Sequence, residues 1–266
     1  MKIKFLGTAA YEGIPSLFCQ CDTCKKSLKL GGRNLRSRSQ AIINDDLLLD
    51  FPPDTVWHFQ RYLLDWTKIR NCLITHNHSD HFYPEDIQII RNDYTHVGDY
   101  QINYHGGGSI YNVLNNIIVN EPQKYKNMNV ELVEAGKFYQ IGKYKVMPLA
   151  AYHDPSSTPL FYAISDGNKK ILYAHDTGVF FEETWENLKN FGKFDLVSID
   201  CTGASNENWI HHHMSIDTNI KIFNKMKEIG IIDDNTIKVI NHFSHNGKLT
   251  YDETVEYVKD MNIIVS

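Results

Sequence analysis

Four side chains able to hold a metal crowd into the six positions from His76 to His81: His76, His78, Asp80 and His81, in the run THNHSDH of residues 75–81. Imidazole nitrogens and carboxylates delivered together into a small volume are the ligand set that zinc and other borderline divalent ions accept. The bland alternative is a His-rich surface loop, but three His and an Asp at such tight spacing rarely gather without a metal.

The apolar run Cys72, Leu73, Ile74 ahead of this cluster reads as the strand that positions it, over residues 70–75. Three other apolar runs also end in potential ligands, at His153, at Asp176 and at His242. Taken singly, each of these His is as readily a core histidine bonded to a carbonyl; taken with residues 75–81, all become ligands of one centre. His76 and His78, two apart, are expected to chelate one ion, while Asp80 and His81 face a second. Asp176 alone can offer one oxygen to each. The first ion would then be held by His76, His78, His153 and Asp176, and the second by Asp80, His81, Asp176 and His242. His175 points to the opposite face of an extended segment and is read either as a support behind the ligands or as structural.

Such a centre carries a small net positive charge and draws an anionic group such as a phosphodiester. Two ions together activate water and stabilise charge developing on a phosphoryl or acyl centre, so the reaction class is metal-assisted hydrolysis. Asp80 and His213 are the candidate catalytic residues. His213 is the member of the triplet His211, His212, His213 nearest a predicted helix start, and is assigned as general acid to the leaving oxygen. The other two read as a solvated turn.

Cys19, Cys21 and Cys24 have CxCxxC spacing and predict a structural tetrahedral zinc in an early loop. His245, three residues after His242, is the best fourth ligand. Reduced thiols or a redox motif are the competing reading. Cys72 and Cys201 lie in apolar contexts and are expected to be buried thiols.

The rest of the chain reads as the frame for these groups. Strand patterns are expected at 2–6, in two short pieces over 40–50, near 129–133, in hairpins over 137–151 and 160–174, at 194–200 and at 236–240. Helices are expected over 54–65, from Pro84, over about 109–119 and 216–229, and from a capping-box pair, Thr250 and Glu253. No repeat or Pro/Gly/Ser-rich linker divides the 266 residues, so residues 1–266 are expected to form a single domain. No run approaches a membrane span and no secretory segment opens the chain, which makes the expected location cytoplasmic. A net charge of -5 offers no basic footprint, so nucleic acid is an unexpected partner and a small anionic molecule the expected one; a homodimer is compatible with this composition.

With these residues in view, the chain resembles the metallo-β-lactamase fold superfamily, whose HxHxDH signature is matched by residues 76–81 and whose later ligands match His153, Asp176 and His242. The resemblance implies an α/β, four-layer αβ/βα sandwich with a dinuclear site of Zn or Mn ions at one edge. The early LeuGlyThr, the GlyIlePro and the three-Cys loop look like the subgroup containing phosphoribosyl 1,2-cyclic phosphate phosphodiesterase, which implies a further zinc on Cys19, Cys21, Cys24 and His245. The chain departs from that pattern at Pro52, Pro53 and Asp54 and in the residues around Tyr83. The expected function is hydrolysis of a small, possibly cyclic, phosphodiester. The alternatives are a carboxyl-ester, thioester or lactone hydrolase of the same fold, and a metal-binding protein without catalysis.

Overall fold

Short strands that are apolar on both sides, such as LLL at 47–49 and LFYAIS at 160–165, must be covered on both faces. The computed structural model, which describes residues 1–266, meets this with two stacked sheets. The first holds β1 (Ile3–Gly7), β2 (Gln40–Ile43), β3 (Leu47–Leu49), β4 (Asn71–Leu73), β5 (Ile102–Gly106) and β6 (Met128–Leu132), in that spatial order. Pairing is antiparallel from β1 to β3 and parallel from β3 to β6. The second sheet holds β7 (Tyr139–Ile141), β8 (Tyr144–Ala150), β9 (Leu160–Ser165), β10 (Lys170–Ala174), β11 (Leu196–Asp200), β12 (Ile237–Asn241) and β13 (Ile264–Val265), again as sequential neighbours. Here β7 to β10 pair antiparallel and β10 to β13 parallel.

The period of two along each strand splits the core into layers. Ala41, Ile43, Leu47 and Leu49 meet Tyr162, Ile164, Ile171 and Tyr173 between the sheets. The alternate residues face outward. Ile42, Leu48 and Cys72 pack with Ile110 and Leu114, while Leu172, Val197 and Ile240 pack with Trp185, Leu188, Ile222 and Phe223, all four on helices. The helices are α1 (Asp22–Leu30), α2 (Thr55–Tyr62), α3 (Pro84–Ile87), α4 (Gly108–Asn120), α5 (Glu182–Phe191), α6 (Ile216–Glu228) and α7 (Tyr251–Val258). The result is the four-layer αβ/βα sandwich expected from the resemblance. No helix is long and apolar enough to cross a membrane.

Three local readings need correction. The Cys segment is not all loop: Cys21 caps α1 and Cys24 lies in its first turn. Helix α5 falls in a stretch for which no element was expected, because its apolar residues, Trp185, Leu188 and Phe191, are few and separated by charges. The helix opened by Pro84 runs only to Ile87 before tightening into a 3₁₀ turn over Gln88–Ile90.

Candidate metal centre

The parallel strands of both sheets end at one edge, and the ligand-bearing loops leave from those ends. At three of them a residue just beyond the strand turns into the left-handed region: Asp50, first after β3 (φ 65°), Asp176, second after β10 (φ 58°), and His242, first after β12 (φ 62°). A non-glycine residue pays for that conformation only where its surroundings enforce it, and such residues cluster at functional sites. The turn at Asp50 explains the entry of the 75–81 loop. Its buried carboxylate accepts from Thr75 N (2.8 Å) and Thr75 Oγ1 (2.9 Å) through Oδ1, and from His81 Nδ1 (2.9 Å) through Oδ2.

The structure brings together all seven residues assigned to the two ions. Ligand atoms of His76, His78, His153 and Asp176 lie within 4.8 Å of one another, and so do those of Asp80, His81, Asp176 and His242. Asp176 belongs to both groups. Its Oδ2 is 3.1 Å from His76 Nε2, 3.1 Å from His81 Nε2 and 3.7 Å from His242 Nε2. All but His78 are buried.

Whether these residues suit a cation is decided by where their ring hydrogens go. His76 Nδ1 has Thr75 Oγ1 at 3.0 Å, His81 Nδ1 has Asp50, His153 Nδ1 has the His212 carbonyl at 3.2 Å, and His242 Nδ1 has Thr202 Oγ1 at 2.8 Å and Asp200 Oδ2 at 3.2 Å. His78 Nε2 faces Asp154 Oδ2 at 3.4 Å. An N–H directed outward on each ring leaves the inner nitrogen as a lone pair. Those inner nitrogens face one another: His76 Nε2 and His78 Nδ1 at 3.0 Å, His78 Nδ1 and His153 Nε2 at 3.1 Å, His81 Nε2 and His242 Nε2 at 3.2 Å. Asp176 Oδ1 is buried and accepts no well-aligned hydrogen bond. Converging lone pairs beside an unsatisfied carboxylate oxygen fit divalent cations.

The electrostatics agree for His76 and His153, whereas at His81 the carboxylates of Asp80 and Asp50 outweigh burial and hold the ring well above its ordinary value, a proton that a cation at Nε2 would displace. Burial pushes His153 down to about 4 and lowers His76, so both rings are neutral, as ligands must be. Burial would raise the carboxyl of Asp176, but His242, His213 and His153 outweigh it and hold it well below the ordinary range. Asp80 is likewise opposed by burial and brought down to about 2 chiefly by His81.

His213 stands at the same place, its Nδ1 3.1 Å from Asp176 Oδ1 and 3.2 Å from Asp200 Oδ2. Burial alone would lower it, yet the two carboxylates lift it to about 9, so it is protonated at neutral pH. Its segment approaches because Gly178 has no side chain: a Cβ there would lie 2.3 Å from the Ile210 carbonyl oxygen. His211 and His212 are exposed, and His175 is buried between Ser39 Oγ (3.3 Å) and Ser198 Oγ (2.7 Å), away from the centre. Sequence reasoning missed the residues behind the ligands: Asp50, Asp154, Asp200 and Thr202. Asp50 and Asp200 carried a signal, since each is a carboxylate closing an apolar strand. A cavity of about 500 Å³ opens above the cluster, and no Lys or Arg lines it.

The second group is Cys19, Cys21, Cys24 and His245, whose ligand atoms also lie within 4.8 Å. His245 Nδ1 is 3.6 Å from Cys19 Sγ and 3.5 Å from Cys21 Sγ, while its Nε2 faces Glu12 at 3.6 Å. Backbone N–H groups of Ser16, Cys21 and Cys24 donate to Cys24, Cys19 and Cys21 sulfurs respectively. Burial would raise the Cys21 thiol, but the Cys24 N–H and the neighbouring side chains bring it down to about 6. Burial pushes Cys24 up to about 12. All five cysteines are free, and Cys72 and Cys201 are buried, as expected.

The chain belongs to the β-lactamase superfamily: the Beta-lactamase superfamily domain matches residues 47–263. Among solved structures it is similar to Zn²⁺-bound PqqB from Methylobacterium extorquens, with 16% identity and a TM-score of 0.76 over 100% of this chain and 97% of that one. It is also similar to a diphosphatase from the PhnP family, with 18% identity, a TM-score of 0.75 and 99% and 93% covered. Human tRNase Z, short form, matches at 14% identity and a TM-score of 0.65, with 100% and 96% covered. No curated protein matches the chain.

Proposed function

We propose that this chain is a single-domain, dinuclear metal-dependent hydrolase of small phosphodiesters. The observation that carries the reading is the pair of four-ligand groups sharing Asp176, with the inner histidine nitrogens converging on one another at 3.0–3.2 Å. Two divalent ions, Zn or Mn, would be held by His76, His78, His153 and Asp176 and by Asp80, His81, Asp176 and His242. They would supply Lewis acidity and an activated water. The chain's own residues do the rest. Asp50 and Asp200 fix the orientation of His81 and His242, and Asp200 holds His213 through Nδ1, which leaves Nε2–H to protonate the departing oxygen. A zinc on Cys19, Cys21, Cys24 and His245 would tie the early segment to the late one.

A phosphodiester is favoured over an ester or thioester by His213, a positively charged acid on the wall of a cavity without Lys or Arg, which with the metals would meet the phosphoryl charge and protonate a poor leaving alkoxide. Similarity to a diphosphatase and to a tRNase Z points the same way. The cavity size suits a small substrate rather than a folded nucleic acid. The test is turnover of bis(p-nitrophenyl) phosphate and of ribose cyclic phosphates by protein loaded with Zn²⁺ or Mn²⁺. His213→Gln is expected to lower kcat by roughly 10²–10³ on substrates with poor leaving groups and much less on p-nitrophenolate esters, whose leaving oxygen needs no proton. Turnover of thioesters or lactones with none of the phosphodiesters would replace this reading.

A further inference from the structure

A second cavity, about 780 Å³, shares no residue with the one above the proposed metals. It lies where β1, at the edge of one sheet, comes near Ser266, just beyond β13 at the edge of the other. Three arginines line it, Arg33, Arg36 and Arg61, and no Asp or Glu does. In a chain of net charge -5 that is an unusual concentration of one sign. No carboxylate side chain pairs with any of the three, whereas Arg38 and Arg91 elsewhere are paired with Asp54 and Asp93.

Arg36 is the telling member. It is 7% exposed, its guanidinium stacked 4.1 Å from the Phe243 ring centroid. Nη1 donates to Thr8 Oγ1 (2.6 Å) and to the Ser266 carbonyl oxygen (2.8 Å), but Nη2 is buried with no partner. The Ser266 hydroxyl is likewise buried and unpartnered. A carboxylate at Ser266 would offset one of the three charges and leave two. A buried guanidinium with an unused N–H is costly unless something accepts from it, and the guanidinium fork matches phosphate oxygens. Trp57 and Tyr62 share the wall, with Arg61 placed 5.4 Å and 6.0 Å from their ring centroids, so an aromatic ring attached to a phosphate would find a stacking surface.

We propose that this cavity is a binding site for a phosphate group, with Arg36 Nη2 and Ser266 Oγ as its buried donors and Arg33 and Arg61 closing on it from the solvent side. The site is independent of the hydrolytic centre. The probes are inorganic phosphate and AMP, titrated calorimetrically at low ionic strength into the metal-loaded protein and into Asp176→Asn, which disables the other place where phosphate would sit. Saturable binding is expected to survive Asp176→Asn, to weaken at least tenfold in the double variant Arg33→Ala/Arg61→Ala, and to weaken as salt rises. Both arginines are exposed, so that variant should keep its Tm and its rate of phosphodiester hydrolysis; Arg36→Gln should abolish binding but is secondary because the residue is buried. Equal affinity for the two probes assigns the site to phosphate itself, and tighter binding of AMP to a phosphorylated aromatic ligand. Absence of saturable binding to wild type, or binding lost in Asp176→Asn and untouched in the double variant, overturns the proposal. Neither result depends on whether the centre hydrolyses phosphodiesters.

Discussion

The two ligand clusters are assembled in opposite ways. The His/Asp cluster is held from behind: Asp50 and Asp200, both fully buried at strand ends, accept hydrogen bonds from His81 and His242 and from the backbone of Thr75, Asp176, Thr202 and Met214. The Cys/His cluster is backed by one part-exposed carboxylate, Glu12, at 3.6 Å from His245 Nε2. Its sulfurs rest on backbone N–H groups of one short segment and the start of α1, Cys19 and Cys21 are only half-buried, and its link to the late part of the chain is His245. The difference teaches that the first is a site built by the fold, whereas the second, on the proposed reading, would build part of the fold once a metal closed it.

The sharpest way to break this contrast is at the shared carboxylate. Asp176→Ala should remove both ions from the His/Asp cluster, reduce hydrolysis by roughly 10³-fold or more, and leave the Cys-bound metal and the fold in place. Metal content by plasma emission, beside circular dichroism, reads both halves; retention of all ions in the variant would show that Asp176 is not shared. Cys21→Ser should do the reverse. Losing the metal that joins α1 to the 245 segment is expected to cost about 3 kcal/mol, or roughly 6–12 °C in Tm, while kcat changes less than about tenfold. If the rate collapsed with an unchanged Tm, the Cys cluster would belong to the chemistry rather than to the frame.

What the sequence disclosed follows the same division. The grouping of the candidate ligands was legible because metal chemistry admits few residue types and His76, His78, Asp80 and His81 fall together, and because strands that end at one edge deliver His153, Asp176 and His242 to the same place. The layers were expected only from the resemblance; runs such as 160–165, apolar on both faces, are the physical reason both sides of each sheet are covered. The residues that aim the ligands were not read: Asp50 and Asp200 each close an apolar strand with a carboxylate, a signal that an ordinary turn residue gives as well. Helix α1 was hidden because its buried face is made of Thr23, Cys24 and Ser27, which carry no apolar period. The arginine cavity was invisible, since Arg33, Arg36 and Arg61 are joined only by the fold.

A buried histidine outside both clusters offers a control. His58 is fully buried between Gln40 Oε1 (2.6 Å) and Ser37 Oγ (2.7 Å), with no opposing ring nitrogen, and burial pushes it down to about 4. Its folded pKa lies below the ordinary value near 6.5, so the unfolded chain takes up a proton first as pH falls. The stability this neutral ring supports is complete above about pH 6.5. It is lost at about 1.4 kcal/mol per pH unit down to about pH 4, some 3 kcal/mol in all. Urea midpoints between pH 7.5 and 4.5 should show this slope flattened in His58→Gln, with the metal content of both clusters unchanged at pH 7.5. An unaltered slope would assign the acid sensitivity to the metal-binding rings instead.

The smallest effect tests the weaker cluster through its outer support. Helix α7 opens with a capping box: Thr250 Oγ1 accepts from Glu253 N, and Glu253 Oε2 accepts from Thr250 N at 2.9 Å. The same helix end reaches the Cys side, since Glu253 pairs with Lys26 of α1 and Asp252 accepts from Asn34 Nδ2 at 2.9 Å. Thr250→Ala is expected to cost about 1 kcal/mol, roughly 2–4 °C in Tm. Because the loss falls on the contacts that hold α1 against the 245 segment, a chelator should strip the Cys-bound metal faster from the variant than from wild type. The His/Asp ions, anchored through Asp50 and Asp200, should leave at the wild-type rate. Equal acceleration at both sites would mean that the clusters share one support, and the contrast between them would fail.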